Sequence, residues 1–226
     1  MKRSEINKAL KNMEQMIKTC GFFLPPFCSF TPEQWREKGH EYDEIRDNML
    51  GYDITDFGLG DFDRTGFSLI TLRNGNRKQK KYTKNYAEKL LFLKEGQSAA
   101  MHFHWIKMED IINRGGGNVQ IRVYESDADG CFSDSDVTIN SDGRSYKVPA
   151  GTVITLRPGE SITIPPYLYH DFHVEPGTGP VLLGEVSMCN DDQEDNRFYQ
   201  PIGRFPEIEE DELPYRLLCN EYPVAE

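Results

Sequence analysis

The spacing of apolar residues changes part-way along the chain. In the first twenty residues, apolar side chains recur every three or four positions and predict an amphipathic helix that Ser4 would cap. Thr31, Pro32 and Gln34 form the start signal of a second helix, in which Thr31 and Gln34 make a capping box. The apolar stripe of the first helix consists of Ile6, Leu10, Met13 and Ile17.

From Gly66 the pattern becomes that of short β-strands. Runs rich in β-branched and aromatic residues alternate with turn signals, of which Asp142-Gly143 is the strongest for a hairpin. Many short strands at close spacing predict an antiparallel sandwich or barrel. The predicted strands are 67–72, 86–93, 119–124, 137–139, 146–148, 153–156, 162–164, 171–174 and 181–188.

These patterns divide the chain into three parts. We expect a helical and irregular N-terminal extension over residues 1–65, a β-barrel over 66–190, and an acidic C-terminal tail over 191–226 that packs on the barrel. With 226 residues, 38% hydrophobic and 12% aromatic, the chain is long and apolar enough to bury a sizeable core.

The acidic composition restricts the possible partners. A formal net charge of −11 argues against nucleic acids and anionic membranes, because both select basic surfaces. No apolar run approaches the length of a transmembrane helix, and the N-terminus lacks the apolar core of a signal peptide. The five cysteines, an odd number without a C-x-x-C pair, are expected to be reduced thiols of a cytoplasmic protein.

A histidine pair marks the candidate functional site. His102 and His104 are two residues apart, so on a strand both rings leave the same face, and Glu109 can return beside them after a turn. Two imidazoles and a carboxylate suit a divalent first-row metal, with a fourth ligand elsewhere in the chain. An H-x-H pair alone is a weak signal, and two structural histidines are the alternative.

Glycines around the pair make the pattern more specific. Gly96 and Gly116 flank the two histidines and Glu109 at the spacing G-x5-H-x-H-x4-E-x6-G. This motif resembles the first conserved motif of the cupin family. The resemblance implies an all-β fold, a cupin double-stranded β-helix (an antiparallel β-barrel or jelly roll) that here follows the helical N-terminal extension.

A second motif downstream supplies the fourth ligand. Gly159 is followed by Pro165 and His170 at the spacing of the second cupin motif, in which Tyr167 replaces a glycine. The resemblance therefore implies a metal site of His102, His104, Glu109 and His170. His173 lies three residues from His170, so on a strand its ring points to the other face, and we interpret it as structural.

Several further segments resemble the D-lyxose ketol-isomerase family. They are spread over nearly the whole chain, from the N-terminal extension to the tail. The resemblance implies a manganese-dependent enzyme that interconverts D-lyxose and D-xylulose, and D-mannose and D-fructose, usually as a homodimer. The segments are residues 24–27, 86–89, 101–105, 109–118, 184–187 and 219–222.

Aldose–ketose isomerisation also suggests catalytic residues. The reaction moves a proton between C2 and C1 through a cis-enediol, which needs a Lewis acid on the sugar oxygens and a base beside the carbon acid. Glu185 lies in an apolar run, where a partly desolvated carboxylate can act as the base, although a hydrogen-bonded barrel glutamate fits equally well. Lys89 lies in a similar apolar run, and its ammonium could donate a proton to a sugar oxygen or stabilise the charge that develops on it. Glu88, the preceding residue of the same strand, would point to the opposite face, so only one of the two can face the site. We favour Lys89.

Four residues are candidates for contacts with the sugar. Asp191 and Asp192 follow the last strand and could bind hydroxyl groups, or could form an exposed acidic loop. Trp105 could flank the sugar or belong to the core. Arg204, like Arg197, could hold a phosphate group if the substrate were a sugar phosphate.

Other classes of protein share these residues. A cupin dioxygenase would use the same four ligands with iron or copper and would need oxygen, whereas a manganese isomerase would run without it. A non-catalytic sugar-binding module would bind sugar without exchanging the C2 proton. A sugar-phosphate isomerase is a variant that the acidic composition makes less attractive.

Overall fold

A computed structural model describes residues 1–192 and 194–225 of the chain. Within these residues, three α-helices precede the β-structure: α1 (Arg3–Thr19), α2 (Pro32–Arg36) and α3 (Asp43–Asp47). Short 3-10 helices occupy Pro26–Ser29 and His40–Tyr42. No helix in this part of the chain has the length and apolar character needed to cross a membrane.

Thirteen strands follow in the described residues, and each strand pairs with its neighbours in antiparallel fashion. In chain order they are β1 (Gly51–Thr55), β2 (Phe67–Arg73), β3 (Tyr86–Leu93), β4 (His102–His104), β5 (Glu109–Gly116), β6 (Val119–Glu125), β7 (Val137–Ser141), β8 (Arg144–Val148), β9 (Val153–Leu156), β10 (Ser161–Ile164), β11 (Leu168–Val174), β12 (Val181–Met188) and β13 (Asn196–Phe198).

The strands form two sheets that enclose the main core. One sheet has eight strands in the order β1-β2-β3-β12-β5-β10-β7-β8, and the other has five in the order β13-β4-β11-β6-β9. Apolar side chains from both sheets meet between them, as Leu91 and Phe172 do. The predicted all-β fold, a cupin jelly roll preceded by helices, is confirmed.

The two faces of the central strands pack against different partners. On β3, Leu91 points into the space between the sheets, whereas Leu90 points outward and packs under α1. Lys89 shares the parity of Leu91. On the adjacent β12, Glu185 pairs with Lys89 and shares the parity of Leu183, which is also part of the inner core. Strand alternation therefore directs both charged side chains into the interior.

The N-terminal helix packs on the outer face of the eight-stranded sheet. Its predicted apolar stripe is buried there, in a cluster with residues of β1, β2, β3 and β12. The helix begins at Arg3, so Ser4 does not cap it, and the Ser4 hydroxyl donates to Asp211 instead. The buried guanidinium of Arg3 pairs with Glu210 and Glu221, which ties the C-terminal tail to the helix. The predicted start of α2, with Thr31 as its cap, is correct.

Four strands are absent from the sequence prediction. β1 lies in the segment that we expected to be helical and irregular, and it pairs with β2. β4 has only three residues, and β5 ends in glycines that obscure its apolar alternation. β13 lies in the tail and pairs with β4, so the tail adds a strand beside the histidine pair.

Candidate metal centre and active-site cavity

Three histidines converge at one end of the space between the sheets. His102 and His104 lie on β4 and His170 lies on β11, and the strand register places His170 directly opposite His102. One ring nitrogen from each histidine lies within 4.8 Å of the other two. His104 and His170 are buried. The two sequence motifs therefore bring together three imidazoles that could form a metal site.

Backbone carbonyls orient two of these rings. Nδ1 of His102 donates to the carbonyl of Ala100 at 2.8 Å, and Nδ1 of His170 donates to the carbonyl of Leu168 at 3.1 Å. Each of these rings keeps Nε2 as an acceptor, as in many metal-binding histidines. Burial, followed by the neighbouring histidines, lowers the pKa of His102 well below its ordinary value, and burial followed by a nearby lysine lowers the pKa of His104. The neutral imidazole is the form that binds metal.

Glu109, at the start of β5, joins the histidines. Its Oε1 lies 3.2 Å from Nε2 of His104 and 3.2 Å from Nε2 of His170. Burial raises the pKa of Glu109, but Lys107 and His104 outweigh burial and hold the pKa well below its usual range. Nε2 of His170 has no hydrogen-bond partner among the described residues. Two acceptor atoms thus face each other, which fits a donor set built for a divalent cation.

Buried ammonium and carboxylate groups lie beside the imidazoles. Nζ of Lys107 lies 2.6 Å from Oε2 of Glu109 and 2.9 Å from Oε1 of Glu185. Nζ of Lys89 lies 3.5 Å from the same oxygen of Glu185 and donates to Oδ1 of Asn190 at 2.6 Å. Burial lowers the pKa of Lys107, but Glu109, Glu185 and Asp192 outweigh it and raise the pKa above its ordinary value. Lys107 therefore stays charged and links the imidazole cluster to Glu185.

Arg204 in the tail completes the polar side. Its Nη2 contacts Asp53 on β1 and lies 3.2 Å from Oδ2 of Asp192. Burial lowers the pKa of Arg204, but these two carboxylates outweigh it and raise the pKa. Burial raises the pKa of Asp192, and Lys89 and Arg204 lower it below its ordinary value. Because two carboxylates already neutralise Arg204, it has little net charge to offer a phosphate group.

One cavity is lined by most of these groups. Its polar side is formed by Thr55, Lys89, His102, His104, Lys107, Glu109, Glu185, Asp192, Asn196 and Arg204. The opposite wall is apolar, which lowers the local dielectric and strengthens the electrostatic interactions inside. This wall includes Phe57, Phe67, Leu69, Leu91, Phe172 and Phe198.

Trp105 and Asp191 lie elsewhere. Trp105 lies just beyond the end of β4, and its ring packs against Phe103 and Tyr167, on the face away from the histidines. Asp191 Oδ2 lies 3.2 Å from Nζ of Lys78, in a neighbouring surface pocket. The structure does not bring either side chain to the histidines.

Strand parity also separates other charged residues from the cavity. Glu88, next to Lys89, points away from the interior and pairs with Arg73. His173 bonds through Nε2 to Oε1 of Gln120 at 3.0 Å. Arg197 packs over the aromatic rings on the outer side of β4. Of Glu88 and Lys89, only Lys89 lines the cavity.

The turn before His170 keeps the geometry that its motif requires. Tyr167 stands where the cupin motif has glycine, and its φ of 66° is in the left-handed region that glycine adopts most easily. The side chain is accommodated because it lies at the surface, where Tyr167 is 51% exposed and packs against Phe103 and Trp105. The departure from the motif therefore changes the residue and leaves the turn intact.

Sequence reasoning missed Lys107. It lies between His104 and Glu109, in a segment that we interpreted as a turn. Ile106 and Met108 flank it, so it is a lysine among apolar neighbours, which is the pattern that singled out Lys89. Asp53 and Asn190 were also missed, because their contacts depend on distant parts of the chain.

Comparison with known proteins gives the family. A family model described as D-lyxose isomerase matches residues 1–222. The chain belongs to the D-lyxose isomerase family. The D-lyxose/D-mannose isomerase of Escherichia coli is 48% identical over 223 residues, which is 98% of each chain. The protein of the same name from Serratia proteamaculans is 46% identical over 223 residues, again 98% of each chain. The predicted membership of this isomerase family is confirmed.

Solved structures of sugar isomerases share the fold of this D-lyxose isomerase family member. An L-ribose isomerase from an Acinetobacter species, in complex with L-ribose, is 12% identical with a TM-score of 0.59, and the match covers 92% of this chain and 98% of that one. An L-ribose isomerase from Cellulomonas parahominis is 14% identical with a TM-score of 0.55, covering 88% of this chain and 92% of that one. At these identities the likeness shows the fold alone.

Proposed function

We propose that this chain is a metal-dependent aldose–ketose isomerase that interconverts D-lyxose with D-xylulose and D-mannose with D-fructose. The observation that carries the proposal is the position of Lys107, whose ammonium lies between Glu109 in the imidazole cluster and Glu185. A metal-binding cluster and an acid–base group thus share one cavity, as isomerisation requires. The two curated relatives, both D-lyxose/D-mannose isomerases, support these sugars.

The proposed metal ligands are His102, His104, Glu109 and His170. Three imidazoles and one carboxylate accept several divalent first-row ions, and the family resemblance favours Mn²⁺. When bound, such an ion supplies a Lewis acid to the sugar oxygens.

Glu185 is the proposed base. In the aldose-to-ketose direction its carboxylate takes the proton from C2, the C–H electron pair forms the C1–C2 double bond, and O1 gains a proton to give the cis-enediol. Glu185 then returns a proton to C1, and O2 loses its proton as the ketose carbonyl forms. A positioned base of this kind contributes about 10²–10⁴-fold to the rate.

Three groups hold Glu185 for this transfer. Lys107 Nζ and Ser187 Oγ lie 2.9 Å and 3.2 Å from its Oε1, and Lys89 Nζ lies 3.5 Å away. The ammonium of Lys89 is the proposed donor to a sugar oxygen while charge moves along the C1–C2 unit. In a low-dielectric cavity, the positive charge of Lys89 would stabilise the negative charge that develops on the sugar oxygen.

Asp192 and Arg204 are the proposed contacts for sugar hydroxyl groups. Both line the cavity, and Nη1 of Arg204 is buried with no hydrogen-bond partner among the described residues. A sugar hydroxyl is an acceptor that would satisfy this donor. The family resemblance also leads us to propose a homodimer, which light scattering of the purified protein tests.

The experiment follows D-lyxose and D-mannose in D₂O by NMR. Protein stripped with EDTA is compared before and after addition of Mn²⁺, and ketose should form only with the metal. Because the proton on Glu185 can exchange with solvent, the ketose should carry deuterium at C1. No ketose from either sugar after metal is restored would refute the isomerase. Complete transfer of the C2 hydrogen to C1, with no deuterium in the ketose, would contradict an exchangeable proton on Glu185.

A further inference from the structure

The segment that carries Lys107 has few anchors of its own. It connects β4 to β5, and its apolar side chains are only partly buried: Trp105 is 39% exposed, Ile106 50% and Met108 45%. Lys107 is only 3% exposed. Apolar packing alone therefore gives an incomplete account of how the backbone of this segment holds its orientation, on which the position of the Lys107 ammonium depends.

Asp195 in the C-terminal tail supplies the missing contacts. Its Oδ1 accepts the N–H of Ile106 at 2.8 Å, and its Oδ2 accepts the N–H of Lys107 at 3.0 Å. Its backbone carbonyl accepts the N–H of Trp105 at 3.1 Å. Asp195 is 1% exposed, and Arg77 Nη1 lies 3.8 Å from Oδ2. One buried carboxylate thus binds two successive backbone amides of the segment.

We propose that Asp195 is a positioning residue that acts through Lys107. By fixing two consecutive N–H groups, it sets the direction in which the lysine side chain enters the cavity. Asp195 is not among the described residues that line the cavity, so it has no direct route to a substrate there. The inference rests on the proposed function, because it assigns a role in the reaction to a residue of the tail.

Asp195→Asn tests this role in the full-length, Mn²⁺-loaded protein. The amide oxygen can accept one backbone N–H, but its NH₂ group would face the other, so the segment should loosen. Displacing a reacting group slightly is costly, and we expect kcat for D-lyxose to fall by about 10- to 100-fold. KM and bound manganese should stay unchanged. In the metal-free protein, hydrogen–deuterium exchange at the amides of residues 106 and 107 should accelerate.

Glu194→Gln is the matched control. Glu194 is the preceding residue of the tail, is exposed, and pairs with Lys78 outside the cavity. Its neutralisation should leave kcat and amide exchange unchanged. If Asp195→Asn does not fold, Asp195→Ser, which keeps a hydroxyl acceptor in a smaller side chain, gives the same comparison.

A double variant separates positioning from general damage. In a Lys107→Met background, Asp195→Asn should cause little further loss of kcat, because its effect passes through the lysine. Wild-type kcat in Asp195→Asn, unchanged amide exchange, or a full multiplicative loss in the double variant would each overturn the proposal. If the wild-type chain converts neither sugar, the proposed function fails instead.

Discussion

The two sides of the cavity are built in different ways. The imidazole side comes from two neighbouring strands, β4 and β11, and carbonyls only two residues away orient His102 and His170. The ammonium and carboxylate side draws on β1, β3, β12, the segment before β5 and the tail, and its charges neutralise one another. Short sequence motifs therefore identify the residues of the imidazole side. The residues of the ammonium and carboxylate side come together only in the complete fold.

Removing a proposed metal ligand should abolish metal binding at the imidazole side. We expect His102→Ala to lose bound metal and to lower turnover by more than about 10³-fold, because both the ligand set and the Lewis acid are lost. Metal analysis and the isomerase assay measure the two effects. His173→Ala is the control, since His173 bonds to Gln120 on the other face of β11 and should keep both metal and activity. Equal losses in the two variants would contradict the assignment.

Changing Glu185, the proposed base, should lower turnover while leaving metal binding intact. Glu185→Gln keeps the size of the side chain but cannot accept the C2 proton, so turnover should fall by about 10²–10⁴-fold. Bound manganese should match the wild type. Glu88→Gln makes the same chemical change on the outer face of the neighbouring strand and should have no such effect. Unchanged activity in Glu185→Gln would remove Glu185 from the mechanism.

Acid should protonate the histidines and the carboxylates of the cavity at different pH values. Burial lowers the pKa of His102 and His104, so below the ordinary value of about 6.5 the unfolded chain binds protons that the folded chain does not. The metal-free protein should therefore lose stability as the pH falls below about 6.5, by up to about 1.4 kcal/mol per pH unit for each histidine. Glu109 and Asp192, whose pKa values are lowered, should add their loss only below about 4.5.

Thermal unfolding of the metal-free protein across this range measures both steps. His102→Gln should reduce the slope of the first step and leave the second in place. A melting temperature that does not change between neutral pH and about 5 would contradict the pKa direction of the histidines.

The smallest effect is expected outside the cavity. Trp105 lies just beyond β4 and packs against Phe103 and Tyr167, on the side away from the histidines. We expect Trp105→Phe to leave KM for D-lyxose close to the wild-type value, because Trp105 is not among the described residues that line the cavity. A tenfold rise in KM would indicate that Trp105 contacts the substrate.

The contrast between the two sides also explains what could be predicted from the sequence. Strand alternation was sufficient to predict the antiparallel β-structure. The resemblance to the two cupin motifs singled out His102, His104, Glu109 and His170, because each motif consists of residues close in the chain. Lys89 and Glu185 could be recognised as candidate interior residues because their neighbours along the strands are apolar. The ion pairs of Arg204 could not be predicted, since its partner Asp53 lies on β1, a strand that the helical pattern of the first sixty residues conceals.

Arg204 gives the protein a built-in order of assembly. In the chain it follows all thirteen strands of the described residues, yet it neutralises Asp53 on β1, the first of them. Until the tail docks on the sheet, Asp53 and Asp192 lack this counter-charge. Catalytic competence should therefore appear only after the tail has docked, and the onset of sugar conversion during refolding from denaturant would time it.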